Sequence, residues 1–138
     1  MNIKTLLVSL LMIILIISGL GSCATINDAH NSKNSLDWPG VYTGTIPSAS
    51  GTGINVRLTL SSDQNFALRY DYVDRPNSQY NYTGSFKWDN KGNIIKLTID
   101  RETPPYYKVV ENALIQLDMK GKPITGNLAD DYVLKKER

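Results

Sequence analysis

The chain has 138 residues, a formal net charge of +2, one cysteine and one histidine. That length suits one domain of ordinary size rather than two. Near-neutral charge with both signs interspersed excludes a basic phosphate-binding face, so no nucleic acid is expected as a partner. A single cysteine and a single histidine exclude a disulfide scaffold and a zinc site of the usual ligand count, and no metal or cofactor is expected.

The first residues carry an address. Lys4 is the only charge in residues 1–22; residues 6–17 are apolar except for Ser9, and residues 18–22 are small except for Leu20. This is the three-part layout of a secretory signal, and its apolar run falls short of the roughly 20 residues that span a bilayer. Leu20-Gly21-Ser22-Cys23 resembles the bacterial lipobox. The resemblance implies diacylglycerol on the Cys23 sulfur, cleavage before it and acylation of the new amine. At about 0.8 kcal/mol per buried methylene, palmitate-length chains hold such a protein at a membrane almost permanently. Ala24, not Asp, follows the cysteine, which by the enteric sorting rule implies the outer membrane, with the domain facing the periplasm. Residues 24–35 (ATINDAHNSKNS) are polar without periodicity and read as a flexible tether that includes His30. The expected division is therefore a signal peptide over 1–22, lipidated Cys23 and tether over 23–35, and a folded domain over 36–138.

From Leu36 onward the apolar period is two. Ile54, Val56, Leu58 and Leu60 share a face, as do Phe66, Leu68, Tyr70 and Tyr72. Tyr80, Tyr82, Gly84, Phe86 and Trp88 oppose Asn81, Thr83, Ser85 and Lys87. Ile95, Leu97 and Ile99 follow the same rule, and Ile115, Leu117 and Met119 are expected inside with Gln116 and Asp118 outside. Alternation of this kind marks antiparallel strands with one wet and one buried face. Turn-forming clusters at 61–65, 74–78, 89–93 and 120–123 separate the runs. With segments 41–46, 106–110 and 131–135, about eight short strands are expected, and no helical stripe appears. The fold class is all-β: a small antiparallel, lipocalin-like barrel of one domain, whose closure removes exposed edges. Tyr42-Thr43-Gly44-Thr45-Ile46 echoes in Tyr82-Thr83-Gly84-Ser85-Phe86, and a glycine inside a strand suits a barrel corner.

The residues 36–44, LDWPGVYTG, resemble the opening of the NlpE N-terminal domain, and residues 112–119 with Ile124-Thr125-Gly126, Leu128-Ala129-Asp130 and 132–136 resemble its close. The resemblance spans residues 36–136. It implies an outer-membrane lipoprotein with a lipocalin-like barrel, of a family associated with copper tolerance, surface adhesion and activation of the Cpx envelope-stress system. This chain departs from the family pattern where a Cys-x-x-Cys commonly follows the first strand: Ser48 and Gly51 stand at the thiol positions. A thiolate pair is what would hold soft Cu(I) or exchange disulfides, so neither role is expected here. The sequence runs to Arg138, and a single barrel is expected, without the second barrel of the enteric relative.

Enzymatic chemistry is not expected. Nucleophilic catalysis needs a base beside Ser or Cys, and the one histidine lies in the tether. Asp130 with Asp131, or Asp100 with Glu102, could be sought as paired carboxylates, but Asp130 and Asp131 as strand neighbours point to opposite faces, and both pairs sit near strand ends, where solvated charge is the default. Tyr106 and Tyr107 follow Pro104-Pro105 and are expected at a rim. The inward aromatics offer more. Tyr70, Tyr72, Tyr80, Tyr82, Phe86 and Trp88 either pack as a core or line a cavity for a small ligand. Three functions stay open: an envelope-stress or surface-contact reporter acting through protein partners, a lipocalin-like carrier of a small apolar molecule, and a scaffold presenting loops to an envelope protein. In each the partner list begins with the membrane, through the lipid.

Overall fold

The computed structural model describes residues 30–49, 51–99 and 102–138. The signal peptide, Cys23 and tether residues 24–29 lie outside the described residues, as do Ser50, Asp100 and Arg101. One helical turn, α1 (Ser32–Ser35), precedes eight strands: β1 (Gly40–Ser48), β2 (Gly51–Leu60), β3 (Asn65–Tyr72), β4 (Gln79–Trp88), β5 (Ile94–Leu97), β6 (Tyr106–Val110), β7 (Ala113–Gln116) and β8 (Val133–Lys136). Each strand pairs antiparallel with the next in chain order, and β8 returns to β1, so the sheet is a closed up-and-down barrel. The expected fold class is what the molecule shows.

Period-two patterning builds the wall. Val56, Leu58, Leu60, Phe66, Leu68 and Tyr70 are buried, while Arg57, Ala67 and Arg69 between them are exposed. β2 and β3 run in unbroken register from Ile54 opposite Tyr72 to Leu60 opposite Phe66, so a one-residue slip would turn the whole apolar set outward. The two echoed glycines sit where strands crowd. A Cβ on Gly44 would stand 2.6 Å from the Val133 carbonyl oxygen, and one on Gly84 would lie 3.1 Å from both the Phe66 ring and the Thr98 carbonyl oxygen. Gly84 is also where β4 passes from β3 to β5, since Ser85 still faces Asn65 and Phe86 already faces Leu97.

The β1–β8 seam is short: Tyr42 faces Lys136 and Thr43 faces Lys135. Beyond those pairs, the Glu137 amide donates to the Val41 carbonyl at 2.8 Å. The Lys136 ammonium crosses Gly40 to reach the Asp37 carbonyl and its carboxylate, the latter at 2.9 Å. Gly40 has φ +150, and a Cβ there would stand 2.5 Å from Lys136 Cε, so glycine is the residue that lets this strut pass.

The end where β1 begins is plugged. Trp38 meets Phe86 and Trp88 edge to face, with ring centroids 5.7 and 5.4 Å away. The Trp38 indole N–H donates to the Lys33 carbonyl at 3.1 Å, and the Tyr42 hydroxyl donates to the Trp38 carbonyl at 2.6 Å. Burial and, secondarily, the Asp37 carboxylate push the Tyr42 phenol up to about 12. The segment expected to be free tether through Ser35 docks here instead from Asn31 onward. Its polar side chains are used for bonding, not solvation: Asn31 caps α1 on the Asn34 amide, and the Ser32 hydroxyl donates to the Val109 carbonyl at 2.7 Å. The Ser32 amide donates to Asn93 Oδ1 at 3.0 Å, and His30 just before is exposed.

Two side-chain placements differ from expectation. In β7, Leu114 and Gln116 point inward, and Met119 is 46% exposed. The hairpin decides this. Asn112 takes φ +56 at the two-residue turn, which sets Val109 opposite Leu114 and Tyr107 opposite Gln116. That register outweighs the Ile115-Leu117-Met119 alternation, because the chain leaves the wall after Gln116 and Leu117 bridges to Pro123. Tyr107, expected at a rim, is fully buried. Pro105 lies before the strand and supplies its carbonyl to the Leu97 amide at 2.9 Å, so the missing prolyl N–H costs no ladder bond.

Leu114→Ala should therefore cost about 2–5 kcal/mol, while Met119→Ala should fall within about 0.5 kcal/mol of wild type. Chemical denaturation of the two variants checks the register, and the reverse order would show that β7 is out of phase.

Candidate functional site

Four connections gather at the end opposite the Trp38 plug: β1–β2, β3–β4, β5–β6 and β7–β8. Between them opens a cavity of about 500 Å³, within the roughly 300–1,000 Å³ of small-molecule sites. Its wall includes Ile46, Ile54, Tyr70, Tyr72, Tyr82 and Tyr132, with Pro47 and Ala49 at the β1–β2 hairpin and Glu102, Thr103 and Pro104 in the β5–β6 loop.

The sequence-expected aromatics divide between the two ends. Tyr70, Tyr72, Tyr80 and Tyr82 line the cavity. Tyr70 is 6% exposed and Tyr80 51%, so the tyrosines grade from floor to rim instead of sharing one interior. They pair edge to face, Tyr70 with Tyr82 at 6.2 Å and Tyr72 with Tyr80 at 5.8 Å. Tyr80 is half exposed where β4 has no partner beyond β3 at this end: β4 pairs with β5 only from Phe86 to Trp88. Phe86 and Trp88 belong to the plug, where the buried Trp88 indole N–H has no hydrogen-bond partner.

Two polar residues expected elsewhere lie inside at this end: Gln116 lines the cavity, and Tyr107 is fully buried beside Tyr70. The Tyr107 hydroxyl lies 3.3 Å from that of Tyr70, across the barrel from β6 to β3. Burial, then the neighbouring Tyr70, pushes the Tyr107 phenol well above its ordinary value, so it stays a neutral hydroxyl. Gln116, opposite Tyr107 in the ladder, is 3% exposed, and its Oε1 is buried without a hydrogen-bond partner. A buried acceptor left unmet is costly, and such exceptions point to function or to bound water. The signal that could have found Gln116 is the mirror symmetry of Tyr107-Lys108-Val109 and Leu114-Ile115-Gln116 about Glu111-Asn112.

Ser48 and Gly51, at the family's thiol positions, face each other across the hairpin tip. Gly51 is overhung by Asp74: a Cβ there would lie 2.7 Å from Asp74 Oδ2. Asp74 accepts the Thr52 amide at 2.6 Å and the Thr52 hydroxyl, and so ties the hairpin to the β3–β4 turn. Those bonds, the hydroxyl's first and the amide's second, hold the Asp74 carboxyl below its ordinary 3.8. Asp130 and Asp131 lie on an exposed 3-10 turn, not on a strand, while Glu102 sits at the cavity rim. Among the described residues no group of three or more His, Cys, Asp or Glu is placed to hold a metal ion. A polar depression of about 370 Å³ on the outer wall is open, and its arginines are engaged: Arg57 with Glu137 and Arg69 with Asp71.

A meander barrel plugged at one end and open over a tyrosine-lined cup is a lipocalin-like fold. The chain belongs to the NlpE N-terminal domain family, whose sequence model matches residues 42–127. Among solved structures, a candidate lipoprotein from Shewanella oneidensis is 43% identical, with a TM-score of 0.71, over 78% of this chain and 96% of that one. That relative's chain is almost wholly this barrel. The Cpx pathway activator NlpE from Escherichia coli is 25% identical, with a TM-score of 0.53, over 64% of this chain and 47% of that one. This chain thus spans about half the length of that activator. No curated protein sequence matches.

The Thr52–Asp74 tie gives a titration. Asp74 is depressed when folded, so the tie is complete above the ordinary value and is lost as pH falls through the lower, folded one. The Thr52 amide resonance should titrate with a midpoint below 3.8, and Thr52→Val, which removes the largest cause, should move the Asp74 midpoint upward. An unmoved midpoint would show that Thr52 does not hold the carboxylate.

Proposed function

We propose that the chain is a non-catalytic, NlpE-type envelope lipoprotein, held at the outer membrane through acylated Cys23 and facing the periplasm, that takes part in envelope-stress sensing or surface contact through protein partners. The family match over the barrel carries this reading, and the likeness to a solved lipoprotein candidate and to a Cpx pathway activator supports an envelope address. The geometry suits it. Asn31 and α1 join the barrel at the plugged end, through bonds to Asn93 and the Gly92 carbonyl, so the described chain begins at the end opposite the four mouth loops. Copper or thiol chemistry is not carried over, because Ser48 and Gly51 offer no thiolate.

Acyl labelling should mark the wild-type protein and not Cys23→Ser, and globomycin should accumulate the precursor; an unmodified Cys23 would overturn the anchor. Deletion or overproduction should change a Cpx-type reporter, and a reporter unmoved by both would remove the signalling role. The cavity favours a second reading, a lipocalin-like carrier of a small apolar ligand in the periplasm.

A further inference from the structure

We propose that the mouth cavity takes a neutral molecule with an apolar, ring-sized body and one hydrogen-bond donor, oriented by donation to Gln116 Oε1. This inference rests on the carrier reading and gives it a ligand chemistry.

Four observations converge. The first is the orphaned acceptor. The Glu111-Asn112 hairpin register drives Gln116 inward, where Oε1 is buried and unmet. Leucine would fill that position without leaving a polar atom unpaired, so the amide is an expense for packing and an asset for recognition. The second is the body of the cup: Tyr70, Tyr72 and Tyr82 present ring faces and edges, and Ile46 and Ile54 aliphatic surface, for an apolar skeleton. The third is charge. The described lining holds one carboxylate, Glu102, and neither lysine nor arginine, and Arg75 lies on the Tyr72 ring, 5.7 Å from its centroid. A fatty-acid carboxylate or a phosphate would therefore be desolvated among the phenols with no cation in the lining. The fourth is access: Val73 and Tyr80, each 51% exposed, extend the apolar surface outward from the rim at the β3–β4 connection.

The mature chain from residue 24 to 138, without the expected signal and the acylated cysteine, can be titrated with three matched probes. N-Phenyl-1-naphthylamine is neutral and has one N–H; phenyl 1-naphthyl ether has the same rings and no donor; 1-anilinonaphthalene-8-sulfonate adds an anion. The amine should bind saturably at one site per chain and about threefold to tenfold more weakly to Gln116→Leu, as loss of one net hydrogen bond requires. The ether should bind wild type and Gln116→Leu alike, and the sulfonate should bind wild type more weakly than the amine. Ala49→Trp, at an exposed position of the lining, should block the amine with the core untouched. Equal amine binding to wild type and Gln116→Leu would overturn the part given to Gln116 while leaving the cup a binding site. No saturable binding to either protein would overturn the carrier reading too, and so would binding that survives Ala49→Trp. Preferred binding of the sulfonate would overturn the neutral ligand class.

Discussion

The seam between β1 and β8 decides whether this sheet is a barrel at all. Every other pair of neighbours is joined by a connection along the chain, whereas β8 must find β1 across the whole length of the domain. It does so with two residue pairs, where β1 and β2 share a register running from Gly40 to Ser48. What reinforces so short a join comes from outside the ladder: the Lys136 strut to Asp37, the Glu137 amide on Val41, and Arg57 of β2 reaching over β1 to Glu137 at 2.6 Å. The Arg57–Glu137 pair is half exposed and contributes modestly. Closure itself contributes more, because an open sheet would present the backbone edges of β1 and β8 to any passing strand.

Closure also creates an inside that the residues fill unevenly. Near the plugged end, Trp38, Phe86 and Tyr42 fill the barrel with rings, and α1 covers them from below. Toward the other end the aliphatic layer of Leu58, Leu68 and Leu114 gives way to phenols, an amide and empty volume. A packed core and an open cavity are therefore both present, stacked along one axis. The packed half supplies stability and leaves the mouth free to carry polar groups that packing alone would not favour.

Most of the wall was legible as alternation, since Ile54 through Tyr72 repeats without error and turn clusters separate the runs. What could not be read is where two signals compete. Over residues 114–119 the apolar series Ile115, Leu117, Met119 competes with Leu114, and only the Asn112 turn, which pairs Leu114 with Val109, says which side of the strand faces inward. Tyr107 follows two prolines that break strands in general, yet the Pro105 carbonyl still accepts from Leu97, and the strand starts immediately after it. Ser32 and Asn31 look like linker because polarity is ambiguous: the same side chains that solvate a tether can cap a helix and bind a barrel edge. The cup was half legible, because Tyr70, Tyr72, Tyr80 and Tyr82 follow from spacing, whereas Gln116 depends on a register that spacing misassigns.

The hairpin tip can be held in only one way at a time. Positions 48 and 51 stand opposite one another across it. Yet the space above position 51 belongs to the Asp74 carboxylate. Any side chain placed there must displace that carboxylate and release Thr52, freeing the tip from its neighbouring turn. A tip clasped by Asp74 and a tip bearing a larger side chain at position 51 therefore exclude one another.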